Sequence, residues 1–144
     1  MADQTESSIE IDASPEAIMG VIADLPAYPE WSDGITRVTV LEEREGRPYR
    51  AEFHLESGPI RDTYVLEYEW DGNRSVSWHL VSGEMLTHMD GTYRLDPAGD
   101  STTVRYRLAV DVKIPMIGMI KRKAERVIVD TALKGLKRRV ASVG

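Results

Sequence analysis

Cysteine is absent from the sequence, phenylalanine occurs once, and no apolar run approaches the length of a membrane-spanning helix. The lack of cysteine excludes disulfide bonds, thiolate nucleophiles and thiolate metal ligands. A helix needs about 20 consecutive apolar residues to cross a bilayer, so a membrane-spanning protein is not expected. The segment over residues 1–7 is polar and acidic, unlike a signal peptide. We therefore expect a cytoplasmic protein.

The chain also lacks the excess positive charge that is typical of nucleic-acid-binding proteins. Its 144 residues carry a net charge of −6, which makes binding to a phosphate backbone unexpected. Hydrophobic residues make up 42% and charged residues 29%, ordinary values for a globular protein. A chain of this length buries about 68% of its unfolded surface in one domain. We expect a single domain over residues 1–144, present as a monomer or a weak homodimer.

The charge is unevenly distributed along the chain. Residues 116–144 contain eight lysines and arginines but two carboxylates, a net charge of +6, so residues 1–115 carry −12. This pattern is typical of a solvated helix face, because cations are favourable near a helix C-terminus. The alternative is transient contact with an anionic lipid surface or an acidic partner.

The first quarter of the chain, Ser8–Trp31, is its most informative stretch. Residues 8–12 alternate polar and apolar side chains, the period of a half-buried strand. A helix start follows, in which Ser14 is suited to cap the helix and Pro15 to occupy its first position. The residue before Pro26 avoids the α region, so the helix is predicted to end there.

This arrangement resembles the polyketide cyclase/dehydrase group of the START-like (SRPBCC, helix-grip) superfamily. Members begin with a strand that ends in Ala-Ser-Pro-Glu, here Ala13–Glu16. A helix that ends in aspartate follows, here at Asp24, and then a Tyr-Pro-x-Trp element, here Tyr28–Trp31. The later order of elements also fits. The resemblance implies a sheet that grips a long helix and leaves an internal cavity.

Period and turn signals predict the remaining elements. Six more strands are expected: Ile35 to about Glu43, Tyr49–Ser57, Ile60–Trp70, Arg74–Val81, Met85–Asp96, and one centred on 104–112. The period becomes helical from Pro115 onward. We therefore expect an α+β, helix-grip fold, in which an antiparallel sheet of about seven strands curves around a long C-terminal helix. Two short helices are expected after the first strand.

The last helix carries two separate apolar arcs. One consists of Met116, Ile120, Ala124, Val127 and Ile128, and the other of Val129, Ala132, Leu133, Leu136, Val140 and Val143. The two arcs predict either that the halves of the helix meet different walls of a curved sheet or that it bends near Gly135. The segment that leads into this helix, Ile114–Ile120, contains two methionines and a glycine. This composition favours either a flexible gate over the mouth of the expected cavity or a hydrophobic corner.

Nearly all inward strand positions are apolar or aromatic, because side chains alternate between the two faces of a strand. We expect the ligand-binding residues to be Trp31, Phe53, Leu55, Tyr64, Leu66, Trp78, Leu80, Thr87, Met89, Tyr106, Leu108, Met119, Ile120, Ala124 and Val127. A cavity lined in this way suits a hydrophobic or aromatic ligand with one polar end near the rim. The alternative is that these side chains fill the core.

Acid–base candidates are few. The three histidines, His54, His79 and His88, fall in the outward phase of their strands and lack metal-ligand spacing. We expect no metal and no other cofactor. Asp62 is the one inward carboxylate, and it is interpreted either as a solvated acid at the rim or as a general acid or base. The resemblance to polyketide cyclases adds Arg61 and Tyr64 as catalytic candidates.

The expected function is binding of a hydrophobic or aromatic small molecule in an internal cavity, for transport, sequestration or presentation. Scarce inward ionisable residues favour this hypothesis over catalysis. The first alternative is an aromatic polyketide cyclase or dehydrase. The second is a lipid or quinone chaperone that touches the membrane through its basic last helix.

Overall fold

A computed structural model describes residues 5–57, 60–113 and 118–143 of the chain. The elements are, in order, β1 (Thr5–Ile11), α1 (Pro15–Ala23), a 3-10 helix (Leu25–Glu30), β2 (Ile35–Arg44), β3 (Arg47–Ser57), β4 (Ile60–Asp71), β5 (Ser75–Gly83), β6 (Leu86–Ala98), β7 (Ser101–Val112) and α2 (Gly118–Val143). The predicted gate or hydrophobic corner at Ile114–Ile120 has residues 114–117, and the side chains of residues 118–120, outside the described part of the chain.

The corner between β1 and α1 forms as the sequence predicts. Ser14 Oγ accepts a hydrogen bond from the amide of Ala17 at 3.2 Å, and Pro15 occupies the first turn of α1. After α1, the hydroxyl of Tyr28 donates to the carbonyl of Ile22 at 2.5 Å. This bond fixes the 3-10 helix against the end of α1, so the chain enters β2 from a defined direction.

The seven strands form one antiparallel sheet with the order β1-β7-β6-β5-β4-β3-β2. Strands β2 to β7 pair with their neighbours in sequence, whereas β1 pairs with the last strand. Short turns produce this order because antiparallel neighbours need few connecting residues. With the two short helices and the long α2, the sheet confirms the predicted helix-grip fold.

Helix α2 covers the concave face of the sheet along one stripe of buried side chains. That stripe comprises Val129, Leu133, Leu136 and Val140. These residues recur every three or four positions, so they share one face of a continuous helix. They belong to the second of the two predicted apolar arcs.

Two described residues of the first predicted arc, Val127 and Ile128, do not face the sheet. Val127 is 59% exposed and Ile128 is also exposed, while Ala124 is half-buried. The reason is the orientation of the helix, since Glu125 occupies the buried stripe four residues before Val129. Val127 is two positions beyond Glu125 and therefore points almost to the opposite side. The inward position predicted for Val127 is wrong.

Gly135 allows a close approach rather than a break in the helix. Helix α2 runs without interruption from Gly118 to Val143. A β-carbon on Gly135 would lie 2.7 Å from the carbonyl oxygen of Trp31. The glycine therefore lets the end of the 3-10 segment pack directly on α2.

Among the described residues, no helix is long and apolar enough to cross a membrane.

Candidate functional site

Aromatic rings line the concave face of the sheet beneath α2. Phe53 on β3 stacks on Tyr64 of β4, with ring centroids 5.4 Å apart. Trp78 on β5 lies 5.4 Å from Tyr93 and 5.7 Å from Tyr106, whose own rings are 4.5 Å apart. Offset and tilted pairs at these distances are favourable. These rings lie on five adjacent strands in two groups of contacting rings, one around Phe53 and Tyr64 and the other around Trp78, and together they are called the aromatic surface.

Most of the predicted binding residues lie on this surface or beside it. Those buried in the interior are Phe53, Tyr64, Leu66, Trp78, Tyr106 and Leu108. Four more are partly buried and pack against the same core: Trp31, Leu55, Leu80 and Met89. The side chains of Met119 and Ile120 lie outside the described part of the chain. Their roles as ligand contacts stay predictions.

Thr87 is exposed, so its predicted inward position is wrong. The cause is a register shift in the β6–β7 pair, where Leu86 opposes Val112 but His88 opposes Asp111. Such a bulge changes which side chains face inward. Leu86 takes the buried position instead.

Gly91 and Trp78 fit together across the β5–β6 pair. The two residues are direct partners in the register. A β-carbon on Gly91 would lie 2.2 Å from both Cε2 and Cζ2 of Trp78. The missing side chain therefore provides the space in which the indole ring lies, and it fixes that ring in the aromatic surface.

Four buried tyrosine hydroxyls form the polar part of this interior. Tyr28 also lies there, but its hydroxyl is bonded to a carbonyl. Within the described residues, no hydrogen-bond partner is found for the hydroxyls of the other four, which are Tyr64, Tyr68, Tyr93 and Tyr106. Burial raises the pKa of each of them far above the ordinary value for tyrosine. They are therefore protonated hydrogen-bond donors at any physiological pH.

These four hydroxyls also keep some accessible surface. In the described residues, the fully enclosed side-chain polar atoms without a partner are Trp31 Nε1 and Arg50 Nε. The tyrosine oxygens are not among them, although the whole residues are buried. Each oxygen therefore keeps a small accessible surface, and an acceptor atom on a ligand would satisfy its hydroxyl by a hydrogen bond. Buried polar groups are otherwise almost always paired.

Asp62 is buried and fully engaged. Its two oxygens accept hydrogen bonds from the amides of Glu84 and Leu86, each at 2.9 Å. The carboxylate thus holds the turn between β5 and β6 against β4, and the solvated rim position considered from the sequence is wrong. Its neighbour Arg61 has an 81% exposed side chain, which pairs with Glu56 at 3.3 Å.

The histidines lie outside the concave face, as the strand period predicts. Each pairs with a carboxylate on the outer surface: His54 with Glu52 at 3.1 Å, His79 with Glu67 at 3.6 Å, and His88 with Asp90 at 2.7 Å. All three side chains are at least one-third exposed. In the described parts of the chain, no cluster of three or more potential metal ligands is found.

Glu125 is the buried group that the sequence reasoning missed. It is 1% exposed and accepts hydrogen bonds from the hydroxyl of Thr5 and the amide of Val110, both at 2.8 Å. The contact joins α2 to β1 and β7. In the sequence, Glu125 stands four residues before Val129, which places it on the apolar stripe of the helix and indicates that it is buried. A carboxylate on such a stripe predicts a buried partner.

Two shallow depressions lie outside the concave interior, where α1 and the 3-10 segment meet the end of α2. One has a volume of about 240 Å³ and is bordered by Ala17, Val21 and Trp31. The other has about 330 Å³ and is bordered by Trp31 and Gly135. Arg139 borders both, and it pairs with Glu30 at 3.0 Å. Neither depression contains the unpaired tyrosine hydroxyls.

The sequence profile of a known family matches residues 2–141, and its description is "Polyketide cyclase / dehydrase and lipid transport". The chain belongs to this family. The match confirms the resemblance seen in the first quarter of the sequence. No curated protein matches the sequence.

Solved structures agree with the family assignment. A START superfamily protein from Mycobacterium smegmatis is 25% identical, with a TM-score of 0.91, covering 98% of this chain and 99% of that one. A protein from Thermus thermophilus is 22% identical, with a TM-score of 0.84 and 99% of both chains covered. An aromatase/cyclase from a Streptomyces species shares the fold at 15% identity, with a TM-score of 0.81, covering 98% of this chain and 94% of that one.

The family and the fold indicate a coarse function. Proteins of this fold family bind small hydrophobic molecules. For this chain, the fold is therefore compatible with two activities: binding of a small hydrophobic ligand and cyclisation of a polyketide.

Proposed function

We propose that this protein binds a hydrophobic or aromatic small molecule between the concave face of the sheet and α2, for transport, sequestration or presentation. The observation that carries the proposal is the aromatic surface with four buried tyrosine hydroxyls for which the described residues offer no partner. Apolar walls with a few convergent polar groups are the usual composition of a ligand pocket. A single domain over residues 1–144 and a monomer or weak homodimer stay predictions.

The state of the ionisable groups favours binding over catalysis. Both buried carboxylates of the described chain are engaged, since Asp62 accepts hydrogen bonds from two amides and Glu125 accepts one from an amide and one from a hydroxyl. Burial raises the pKa of Tyr64, so its hydroxyl does not act as a base near neutral pH. A general base must have a free acceptor within reach of the substrate. The described interior offers donors and no such base.

The alternative function, an aromatic polyketide cyclase or dehydrase, has support from the family and from one solved aromatase/cyclase of the same fold. Tyr64 and Trp78 lie where such a substrate would bind. Arg61 does not, because its side chain points to solvent. The arginine that this alternative called for is thus absent from the described interior.

A second alternative, a lipid or quinone chaperone, has support from the outer face of α2. The described residues contain no ion-pair partner for four exposed cations there, which are Lys123, Lys134, Lys137 and Arg138. The exposed Val127 lies among them. A basic helix face with an apolar side chain favours contact with anionic lipid. Sedimentation with anionic and neutral vesicles tests this: binding to both alike, or to neither, contradicts it.

The proposed function is tested by titration with a neutral apolar fluorophore, such as N-phenyl-1-naphthylamine, while tryptophan emission is monitored. Trp78 is part of the aromatic surface, so energy transfer should quench its emission as the site fills. The expected result is saturation near one molecule per chain. Native mass spectrometry of the purified protein should also show a co-purified ligand. Binding no stronger than to a cavity-free protein of similar size would contradict the proposal.

Substitution of Asp62 separates the binding function from acid–base catalysis. Asp62→Asn keeps one acceptor oxygen and loses the other, so the stability should fall by about 1–3 kcal/mol. The affinity for the fluorophore should change by less than about 1 kcal/mol. With a polyketone substrate, a loss of turnover of about 100-fold at unchanged folding would instead favour the enzyme. His88→Ala is the matched control, since His88 lies on the outer surface.

A further inference from the structure

The four unpaired hydroxyls come from three strands and face one interior. Tyr64 and Tyr68 are on β4, Tyr93 is on β6 and Tyr106 is on β7. Tyr93 and Tyr106 are direct register partners, with rings 4.5 Å apart. Tyr64 and Tyr68 lie four residues apart, about 13 Å along the strand. The donors are therefore spread along the interior instead of meeting at one point.

The charge of the surrounding groups restricts what these donors can bind. The buried charged residues of the described chain are Asp62 and Glu125, and both are acidic. Among the described residues, no cation is buried in the interior. A ligand carboxylate would thus enter an apolar site with no opposite charge, at a high desolvation cost. A neutral oxygen acceptor has no such cost and satisfies the same hydroxyls.

We propose that the interior site selects neutral ligands that carry carbonyl oxygens, as in a ketone or quinone, and that each such oxygen accepts hydrogen bonds from one or two of the hydroxyls of Tyr64, Tyr68, Tyr93 and Tyr106. The inference rests on the proposed function, since it assigns a ligand class to the same site. Apolar contact with the aromatic surface supplies affinity, and the hydroxyls supply selectivity.

Three compounds of similar size test the proposal: fluorene, 9-fluorenone and fluorene-9-carboxylate. The first two differ by one carbonyl oxygen, and the third adds a negative charge. Their dissociation constants are measured by quenching of tryptophan emission. One net hydrogen bond corresponds to about a 2- to 10-fold gain, so 9-fluorenone should bind more tightly than fluorene by that factor. The carboxylate should bind more weakly than fluorene.

Tyrosine-to-phenylalanine variants locate the donors. The double variants Tyr93→Phe/Tyr106→Phe and Tyr64→Phe/Tyr68→Phe remove two donors each and keep the rings. At least one double variant should reduce the ratio of the dissociation constant of fluorene to that of 9-fluorenone toward 1. The affinity for fluorene should stay unchanged within about 2-fold. Because these hydroxyls have no partner in the described protein, the melting temperature should not fall. Tyr28→Phe is the matched control, since the hydroxyl of Tyr28 already donates a hydrogen bond to the carbonyl of Ile22.

The outcomes distinguish this inference from the proposed function. If fluorene and 9-fluorenone bind equally well, or if neither double variant alters their ratio, the carbonyl selectivity is wrong while the binding function stands. If the carboxylate binds most tightly, the neutral-ligand inference is overturned. If none of the three compounds binds, the proposed function fails and this inference fails with it.

Discussion

The indole ring of Trp78 occupies the place that a side chain on Gly91 would take. The two residues oppose each other on adjacent strands, and the distance from a β-carbon on Gly91 to the ring would be 2.2 Å. Trp78 touches Tyr68, Tyr93 and Tyr106 through its ring. A change at Gly91 would therefore displace the centre of the aromatic surface without removing any of its members.

Gly91→Ala should displace this tryptophan and destabilise the protein. Overpacking of a filled core typically costs about 1–3 kcal/mol, so we expect a loss of that size in the free energy of unfolding. The tryptophan emission maximum and the near-ultraviolet circular dichroism should change as well. Gly20→Ala is the control, because nothing lies within 4 Å of a β-carbon there. An unchanged spectrum and stability for Gly91→Ala would show that the sheet relaxes around the methyl group.

Gly135→Ala should also be destabilising, although alanine is the better helix former. The intrinsic preference for alanine in a helix is worth about 1 kcal/mol. The methyl group, however, would lie 2.7 Å from the carbonyl oxygen of Trp31, a backbone atom that cannot rotate away. Thermal unfolding should give a lower midpoint for Gly135→Ala and a higher one for Gly20→Ala, which is also helical. A rise in both would contradict the close approach of α2 and the 3-10 segment.

Removal of the Glu125 carboxylate should weaken the attachment of α2 to the sheet. Glu125→Ala leaves the hydroxyl of Thr5 and the amide of Val110 without their acceptor, and we expect a loss of about 2–4 kcal/mol in chemical denaturation. Glu125→Gln keeps one acceptor oxygen for the amide and offers a donor to the hydroxyl, so its loss should be smaller.

The two partners of Glu125 provide a check on that explanation. Thr5→Val removes the hydroxyl and keeps the shape of the side chain, so it should cost less than Glu125→Ala. The double variant Thr5→Val/Glu125→Ala should lose less than the sum of the two single losses, because the residues share one bond. Additive losses would show that the contact at 2.8 Å contributes nothing of its own.

The buried tyrosines should make the protein lose stability at alkaline pH. Burial raises the pKa of Tyr64 and of Tyr106 in the folded state, whereas the unfolded chain titrates near the ordinary tyrosine value of about 10. Below about pH 10 both states keep their protons and the stability is complete. Above it the unfolded state releases protons that the folded state retains, so the free energy of unfolding falls.

Chemical denaturation at about pH 9 and about pH 11 measures this loss, and absorbance near 295 nm follows tyrosinate formation. The folded protein should show much less tyrosinate at about pH 11 than the denatured protein. The variant Tyr93→Phe/Tyr106→Phe should lose less stability over the same range. Equal tyrosinate in the folded and denatured proteins would mean that the rings are open to solvent.

The strand period predicted the interior wherever the pairing is regular. Phe53 and Tyr64 are direct partners in the regular β3–β4 register, and Trp78 lies in the regular β5–β6 register, so all three face the interior as their strand phase predicts. Thr87 was predicted wrongly because a register shift precedes His88, and no local signal marks a bulge in an otherwise regular strand.

The helix and the buried carboxylates show a different limit of sequence reasoning. The apolar pattern of α2 contained two arcs, and the choice between them depended on Glu125, whose partners lie on β1 and β7. Asp62 likewise is buried because two amides of the β5–β6 turn approach it. The local pattern places both carboxylates on an inward face, but their partners are far apart from them in sequence, so the hydrogen bonds that keep them buried do not follow from it.

The position of β1 at the far edge of the sheet bears on how the chain is made. Its register partner is the last strand, with Thr5 opposite Leu108, and Thr5 also bonds to Glu125, 120 residues later. During synthesis, the first strand therefore leaves the ribosome long before its partner exists. Strands β2 to β6 can pair in turn as they emerge, whereas β1 can join the sheet only after β7 has been synthesised.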